Sequence, residues 1–427
     1  MQQDSATYDI HHLETPSFSS ATIWVGGTSA LAQTYVEEIL RCPDRDNAKK
    51  MKYNRRFVLA SRNARETNGS LGCISYLPLD LTKRDSIEAF FDKLVDDRKY
   101  LFGSQDPNAT IRVTIIFGAQ SSLVTGSKDE HISLAQHLPY FLDQASQRFV
   151  SHGKIVLAGV LHISSVAVMN HTQAQSLLTE DAPLPKLDSY ASAYDITKCM
   201  AEEKLTLACQ NLNIPSCVHL RISGIFSNEV PPTVCIQMAA IRIQAYLGSI
   251  LQTPLDMNTS YNVCHVIQLI LDRMEDKLRN DDSNQYSPGL HHTYFYTRPT
   301  IDPKPYGNNL VAYRSANDIA YAIDVPDWCA RIFMWALVYL FRGIARAVVV
   351  VMQGEMNKKR HKWLDFACEV LLNLSYLLTV SMVEHTFDNS RIRSDIPELN
   401  SLEESIHEGF VRIRKRKAER NASLEPY

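Results

Sequence analysis

ATIWVGGTSALAQTYVEEILRC, residues 21–42, is the stretch on which the fold turns. An apolar run from Ala21 to Val25 passes directly into Gly26–Gly27–Thr28, and a helical run follows through Leu40. A strand, a glycine turn and a helix in immediate succession open a βαβ unit, because parallel strands need a crossover that a hairpin cannot provide. Upstream, MQQDSATYDIHHLETPSFSS (residues 1–20) is polar and has no apolar h-region, so it reads as a flexible lead-in and no cleaved secretory signal is expected.

Working outward, the same alternation recurs. Strands are expected at Phe57–Ala60, around Ile74–Leu77, at Val113–Phe117, across Lys154–Ile163 and at Ser216–Ile222. Helices are expected between them at Ser86–Leu94, Ile132–Ala145 and 189–212, with the charged residues 43–55 as a surface insertion. Strands alternating with helices predict a parallel sheet covered on both faces, an α/β Rossmann-type doubly wound domain over residues 21–230. Beyond Ile222 the pattern breaks at Pro231–Pro232, Asn280–Pro288 and the turn-rich 297–318. Helical patterns return at 235–250, 262–278, 326–352, 361–384 and 402–415, giving a smaller, mainly helical substrate region over 231–410 and a basic polar tail over 411–427.

A chain of 427 residues is long enough for a large core and for two packed subdomains. Its formal net charge of −3 offers no basic field, so no nucleic-acid partner is expected. The nine cysteines stand singly with no C-x-x-C pair, which suits reduced thiols in a cytoplasmic protein. His11–His12 and His291–His292 are adjacent pairs rather than i, i+4 pairs, so they are not read as metal ligands. IFMWALVYLF (332–341) and AVVVVM (347–352) are strongly apolar but interrupted by Arg342 and Arg346. These arginines disfavour a full membrane span. Two readings stay open for 331–352: peripheral contact with the cytosolic face of an intracellular membrane, or helices packed on the protein's own core.

The chemistry-bearing stretch is YASAYDITKCMAEEKL, residues 190–205. Tyr194 and Lys198 stand four apart and so share one helical face. A tyrosine with its ordinary pKa near 10 is a poor acid or base at neutral pH, and a lysine cation one turn away favours its phenolate. Upstream, HISSVAV places Ser164 and Ser165 at a strand's carboxyl end, where open parallel sheets bind ligands. LRISGIF (220–226) follows one strand later.

Taken together, the strand–Gly–Gly–Thr turn, the Ser-Ser strand end, Tyr-x-x-x-Lys and LRISGIF resemble an extended short-chain dehydrogenase. Asp80 in LPLDLTKRDS stands where that family carries an aspartate facing the adenine. Asn262–Val263 and FDNSRIRSDIPELNSLEESIHEGF (387–410) are similar to segments of the 3β-hydroxysteroid dehydrogenase branch, which includes sterol-4α-carboxylate 3-dehydrogenases. The resemblance implies NAD(P)-dependent interconversion of a secondary alcohol and a ketone on a bulky lipophilic substrate such as a sterol or terpenoid. Tyr194 would be the acid/base. Lys198 would lower its pKa and hold the nicotinamide ribose, and Ser165, rather than Ser164, would orient the substrate oxygen. Gly26, Thr28, Ser29, Ala30, Leu31, Ser61, Arg62 and Asp80 would line the cofactor, and a homodimer is a further expectation.

The sequence also departs from that family. Its Gly-x-x-Gly-x-x-Gly turn reads Gly26, Ser29 and Ala32 here, and a serine side chain would crowd the pyrophosphate. Strand two ends Ala60–Ser61–Arg62 with no acid for the ribose hydroxyls, which favours NADP(H) over NAD(H). No asparagine lies between Asn108 and Asn170 to serve a proton relay, and Ile222 stands where a proline is usual. Two other readings therefore accompany the oxidoreductase: isomerase, epimerase or dehydratase chemistry on the same scaffold, and a catalytically silent Rossmann-fold binding protein.

Overall fold

A computed structural model of the chain describes residues 20–40, 55–64, 67–68, 73–97, 100–101, 110–118, 128–169, 175–186, 192–226, 242–243, 245–247, 256–280, 291–299, 307–352, 358–381 and 385–424. The N-terminal lead-in, the 43–54 insertion, the Pro231–Pro232 break and most of the 235–250 helix lie outside these residues.

The opening segment forms strand β1 (Ser20–Val25), a turn, and helix α1 (Ala30–Tyr35), which continues as a π-helical turn over Val36–Leu40. Strands β2 (Arg55–Ser61), β3 (Thr67–Asn68) and β4 (Ile74–Pro78) follow, then α2 (Arg84–Asp96), β5 (Ile111–Phe117), α3 (Lys128–His152) and β6 (Ile155–Ser165). A short β7 (Gln175–Leu178) precedes α4 (Ala193–Asn211), β8 (Cys217–Ile222) and β9 (Gly224–Phe226). After these come β10 (Met257–Thr259), α5 (Ser260–Asn280) and β11 (His291–Tyr296).

The main sheet runs β11-β8-β6-β5-β1-β2-β4-β3, parallel throughout except for the β3–β4 pair. The chain moves outward from β1 through β2 to β4, then returns to β5 on the other side of β1. The switch point therefore lies between β1 and β5, and ligands of such sheets bind in the crevice at their carboxyl ends. One face of the sheet is covered by α2, α3 and α4 through Phe91, Phe141, Phe149 and Leu205. The other is covered by α1 and α5 through Tyr35, Val263, Ile267 and Leu271.

The seventh parallel strand corrects the domain reading. β11 pairs with β8 from Cys217–His291 to Ile222–Tyr296, and α5 packs under the sheet, so the dinucleotide-type domain does not end at residue 230. HHTYFY is six residues of modest apolar character, too short for its period to stand out beside the Asn/Asp-rich stretch before it. The turn-rich reading of 297–318 is likewise corrected, since Gly307–Ala316 forms helix α6.

The remaining elements are α7 (Asp327–Met352), α8 (Lys358–Ser381), β12 (His385–Phe387), α9 (Ser390–Asp395) and α10 (Ile406–Leu424). The stretch expected as a tail from 411 continues α10 and is bound to the domain. Arg412 is buried and pairs with Glu404 at 2.6 Å and Glu38 at 3.5 Å, while Arg416 reaches Glu37 at 3.0 Å. Asn262 fastens α5 to the same region, donating to the Glu404 carbonyl and accepting its N–H at 2.9 and 2.8 Å.

The first turn is held mainly by backbone, with the Gln33 side-chain amide donating to the Gly27 carbonyl at 2.7 Å. The N–H groups of Gly26 and Gly27 both donate to the Ala60 carbonyl, at 2.8 and 3.0 Å. Gly26 has φ +91°, a conformation that disfavours side chains. Gly27 sits so close to β2 that a β-carbon would lie 2.6 Å from the Leu59 β-carbon. Both partners are backbone or its first side-chain atom, and neither can swing away. Gly27→Ala is therefore expected to cost about 1–3 kcal/mol, the usual range for overpacking. A denaturant midpoint unchanged from the parent would show that β1 and β2 do not approach this closely.

Candidate active site

Two cavities open at the carboxyl end of the sheet and share Leu81 and Leu134 as a common wall. The first, about 170 Å³, is lined by Gly26, Thr28, Ser29, Ser61, Arg62, Asp80 and Gly118. It sits over the ends of β1, β2 and β5, at the switch point. The second, about 30 Å³, is lined by Tyr194, Lys198, Thr197, His131, His162 and Phe117. Residues that lie far apart in the chain thus line two adjoining cavities across the sheet edge.

Tyr194 and Lys198 lie in the first turns of α4, whose N-terminus is capped by Ser192 accepting from the Asp195 N–H at 3.1 Å. The Lys198 ammonium is 5.9 Å from the Tyr194 ring centre and donates to the Ile163 carbonyl at 2.7 Å. Burial lowers its pKa to about 8, against the raising effect of the Glu202 carboxylate.

Below this pair runs a buried polar layer. Glu202 accepts from Arg221 on β8 at 3.0 Å and 2.7 Å in a forked pairing, and from the Ser164 hydroxyl at 2.5 Å. Burial pushes the Glu202 carboxyl up, but the Arg221 guanidinium outweighs this and holds it below its ordinary value. His162 and His219 meet through their Nδ1 atoms at 3.3 Å, and His219 Nε2 lies 2.8 Å from Thr206 Oγ1. Burial, reinforced by Lys198, drives the His162 pKa well below its usual value, so this ring stays neutral.

The two serines separate as successive strand residues must. Ser164 turns toward α4 and Glu202, whereas Ser165 accepts the Ala167 N–H at 3.2 Å. Ser165 is not among the residues lining the Tyr194 cavity. In the other cavity Ser29 caps α1, its oxygen accepting the Ala32 N–H at 3.3 Å with extended backbone at φ −67°. The expected crowding thus takes a specific form, because the hydroxyl occupies one of the amides that a phosphate would use. Ala30 starts the helix and Leu31 is buried in the core, and neither lines the cavity.

Ser61 Oγ is buried and finds no hydrogen-bond partner among the described residues. Arg62 is half exposed and pairs with Glu130 of α3 at 2.8 Å. Asp80 accepts from the Thr82 amide and hydroxyl and meets Lys83 at 3.2 Å. Its burial raises the carboxyl's pKa, but these donors outweigh it and hold the pKa low. A buried hydroxyl without a partner, a positive-φ glycine and an exchangeable arginine fit the adenosine half of a dinucleotide.

Sequence reasoning missed His131, His162, Glu202 and Arg221. His131 stands on α3, which carries no asparagine, and its ring meets Tyr194 edge-on at 6.0 Å. The signal was present as polar residues at alternate positions of an apolar strand, His162 and Ser164, facing His219 and Arg221 at the same register on β8.

No protein-family model matches this sequence, and no curated protein matches it. Solved structures do resemble it. The terminal R domain from the myxalamid PKS-NRPS biosynthetic pathway superposes with a TM-score of 0.57 at 13% identity, covering 96% of this chain and 92% of that one. The protein gox2253 superposes with a TM-score of 0.56 at 11% identity, covering 94% and 98%. The fold is a Rossmann-like α/β fold shared with these proteins, and at such identities the likeness extends to fold alone.

A residue outside these cavities also touches α4. Tyr376 of α8 donates to Asp195 Oδ2 at 2.6 Å. Burial raises the Asp195 carboxyl to about 7, although Tyr376 and Ser192 lower it. The folded chain therefore holds a proton that the unfolded chain releases near pH 4, and stability declines as pH rises from about 4 to about 7. Above that window the hydrogen bond is charge-assisted. Tyr376→Phe is expected to cost about 1.5–3 kcal/mol at pH 8 and nearer 1 kcal/mol at pH 5. Equal losses in urea unfolding at both pH values would show that Asp195 does not titrate there.

Proposed function

We propose that this protein is an NAD(P)-dependent oxidoreductase that interconverts a secondary alcohol and a ketone on a bulky lipophilic substrate, of sterol or terpenoid type. The observation that carries the reading is the juxtaposition of Tyr194 and Lys198 with an adjoining cavity at the switch point of the sheet. The resemblance of the motif order to the 3β-hydroxysteroid dehydrogenase branch supports the substrate class.

When bound, the nicotinamide supplies or accepts hydride. Gly26 and the α1 amides would receive the pyrophosphate, and the Ser61 hydroxyl would meet the adenosine ribose or its 2′-phosphate. Arg62 is free to exchange Glu130 for a phosphate, because an exposed ion pair holds it weakly. These two residues favour NADP(H). Asp80, already bound within its own turn, contributes to the cavity wall.

Tyr194 would take the carbinol proton in oxidation or give it to the ketone oxygen in reduction. Lys198 favours the phenolate through its charge, and its ammonium would be shared between the Ile163 carbonyl and the nicotinamide ribose. Ser165, at the strand's end, keeps its own proton for a substrate oxygen while its lone pair takes the Ala167 amide. Ser164 is committed to Glu202 and serves the position of α4.

Titration of the purified chain with NADPH and NADH, followed by cofactor fluorescence, tests the first half of the proposal. Micromolar binding with NADPH preferred is expected, and Ser61→Ala should narrow the preference. Binding of neither would leave a silent scaffold, consistent with Ser29 occupying a phosphate-facing amide. In assays with sterol and terpenoid alcohols, Tyr194→Phe is expected to lower turnover by about 10²–10⁴-fold while leaving cofactor affinity near that of the parent. Lys198→Ala should damage both. Near-normal rates in Tyr194→Phe would sink the acid/base assignment, and product formation without net change in NAD(P)H would mark isomerase or epimerase chemistry.

A further inference from the structure

Helix α7 presents a face that the protein does not cover. It runs over 26 residues, and within Asp327–Val350 the most apolar 18-residue window has a mean hydropathy of 1.7 with only 11% of that window buried. Its inner side packs on α8 through Val338 and Ala345, with the Cys368 thiol 3.6 Å from the Ala345 carbonyl. The outer side carries Trp328, Ile332, Phe333, Trp335, Tyr339 and Leu340, and Phe333 and Tyr339 are 63% and 67% exposed. Continuous apolar exposure of this length on one helix marks an interaction surface rather than scattered surface residues.

We infer that the outer face of α7, from Trp328 to Val350, docks on an anionic lipid bilayer and lies in its interface. Charge complementarity favours this occupant. Between Asp327, which pairs with Arg331, and Glu355 the sequence carries no acidic residue, whereas Arg342 and Arg346 punctuate the helix and the sequence at 358–362 reads KKRHK. Basic residues beside an apolar helical face suit anionic headgroups, and tryptophan and tyrosine sit well at the headgroup level. A second copy fits less well. One helical stripe about 40 Å long and 10 Å wide offers roughly 400 Å², about half of what each partner of a stable dimer usually buries.

A full span is also disfavoured. The α7 helix is held on the protein by α8, where Arg342 Nε donates to Ser375 Oγ at 3.2 Å. The α8 helix is in turn held on α4 by Tyr376 and Asp195. Docking through α7 thereby brings the lipid surface to the helix that carries Tyr194. That consequence, a lipophilic substrate drawn from the bilayer, rests on the proposed function, whereas the docking does not.

The test uses the purified full chain with vesicles of phosphatidylcholine alone and of phosphatidylcholine containing phosphatidylserine. Co-sedimentation with the mixed vesicles, weakened by salt, is expected, together with quenching of tryptophan emission by brominated lipid that Trp335→Phe reduces. The exposed double variant Phe333→Asp/Leu340→Asp should lower partitioning by at least about 10-fold. Its NADPH titration and thermal midpoint, expected to match the parent, separate lost docking from lost folding. If the variant does not fold, quenching of the parent chain alone decides the question. Absence of both co-sedimentation and quenching overturns the proposal, whatever the outcome of the cofactor titration. Retention in the membrane after alkaline carbonate extraction overturns it in favour of a span. A dimer that the double variant dissociates, with no lipid binding, overturns it in favour of a second copy.

Discussion

The buried pair between Glu202 and Arg221 is the constraint on which the site depends. It joins the middle of α4 to β8 with forked hydrogen bonds of 3.0 and 2.7 Å, and Ser164 of β6 adds a third donor. Each member is almost wholly buried, so neither charge can find water if the other is lost, and removing one partner of such a pair usually costs about 3–5 kcal/mol. An apolar contact could hold α4 on the sheet with similar strength but would not fix its rotation. The forked geometry does fix it, and the rotation of α4 decides whether Tyr194 and Lys198 face the crevice. The pair is therefore better understood as a register device than as a source of net stability.

The parts of this arrangement that depend on periodicity were legible in the sequence. The strands β1, β2, β4, β5, β6 and β8 fall within a few residues of the expected positions because each carries an apolar run, whereas the short β3 and β7 were not expected and α3 extends beyond its expected ends. The Tyr194–Lys198 face follows from helical spacing alone. Pairings between distant segments were not legible. Nothing local in GIFSN or HHTYFY states that β11 lies beside β8, and a six-residue run has too few repeats to establish a period. The basic run from Arg412 looked like a tail because ion pairing is invisible in one dimension. Besides Glu404, eight residues upstream of Arg412, its acidic partners Glu37, Glu38 and Asp318 lie roughly a hundred to several hundred residues away.

The glycine turn shows the same division between local and distant information. That Gly26 must adopt positive φ could be expected from a tight turn. That Gly27 must lack a side chain could not, since the demand comes from Leu59 on the neighbouring strand. Ser29 illustrates a third case. Its replacement of a glycine reads from the sequence as steric crowding, whereas its side chain in fact turns back to cap α1. The consequence is electrostatic rather than steric, because one amide donor is already engaged and the helix that supplies the others is only six residues long before it widens into a π turn.

Under the proposed function, that loss would give the charge on Lys198 a larger part in holding an anionic cofactor. Arg221 is consumed by Glu202, Arg62 is shared with Glu130, and His162 is kept neutral by burial. Lys198 is thus the cation most directly available to the crevice, yet burial has brought its pKa down to about 8, so its own charge is conditional near neutral pH. A phenolate at Tyr194 or a phosphate-bearing ligand nearby would favour the charged form and raise that pKa again. Ligand and lysine would then stabilise one another, the protonated ammonium favouring the bound anion and the anion retaining the proton. Burial and the Glu202 carboxylate beneath the pair set the point from which that mutual shift begins.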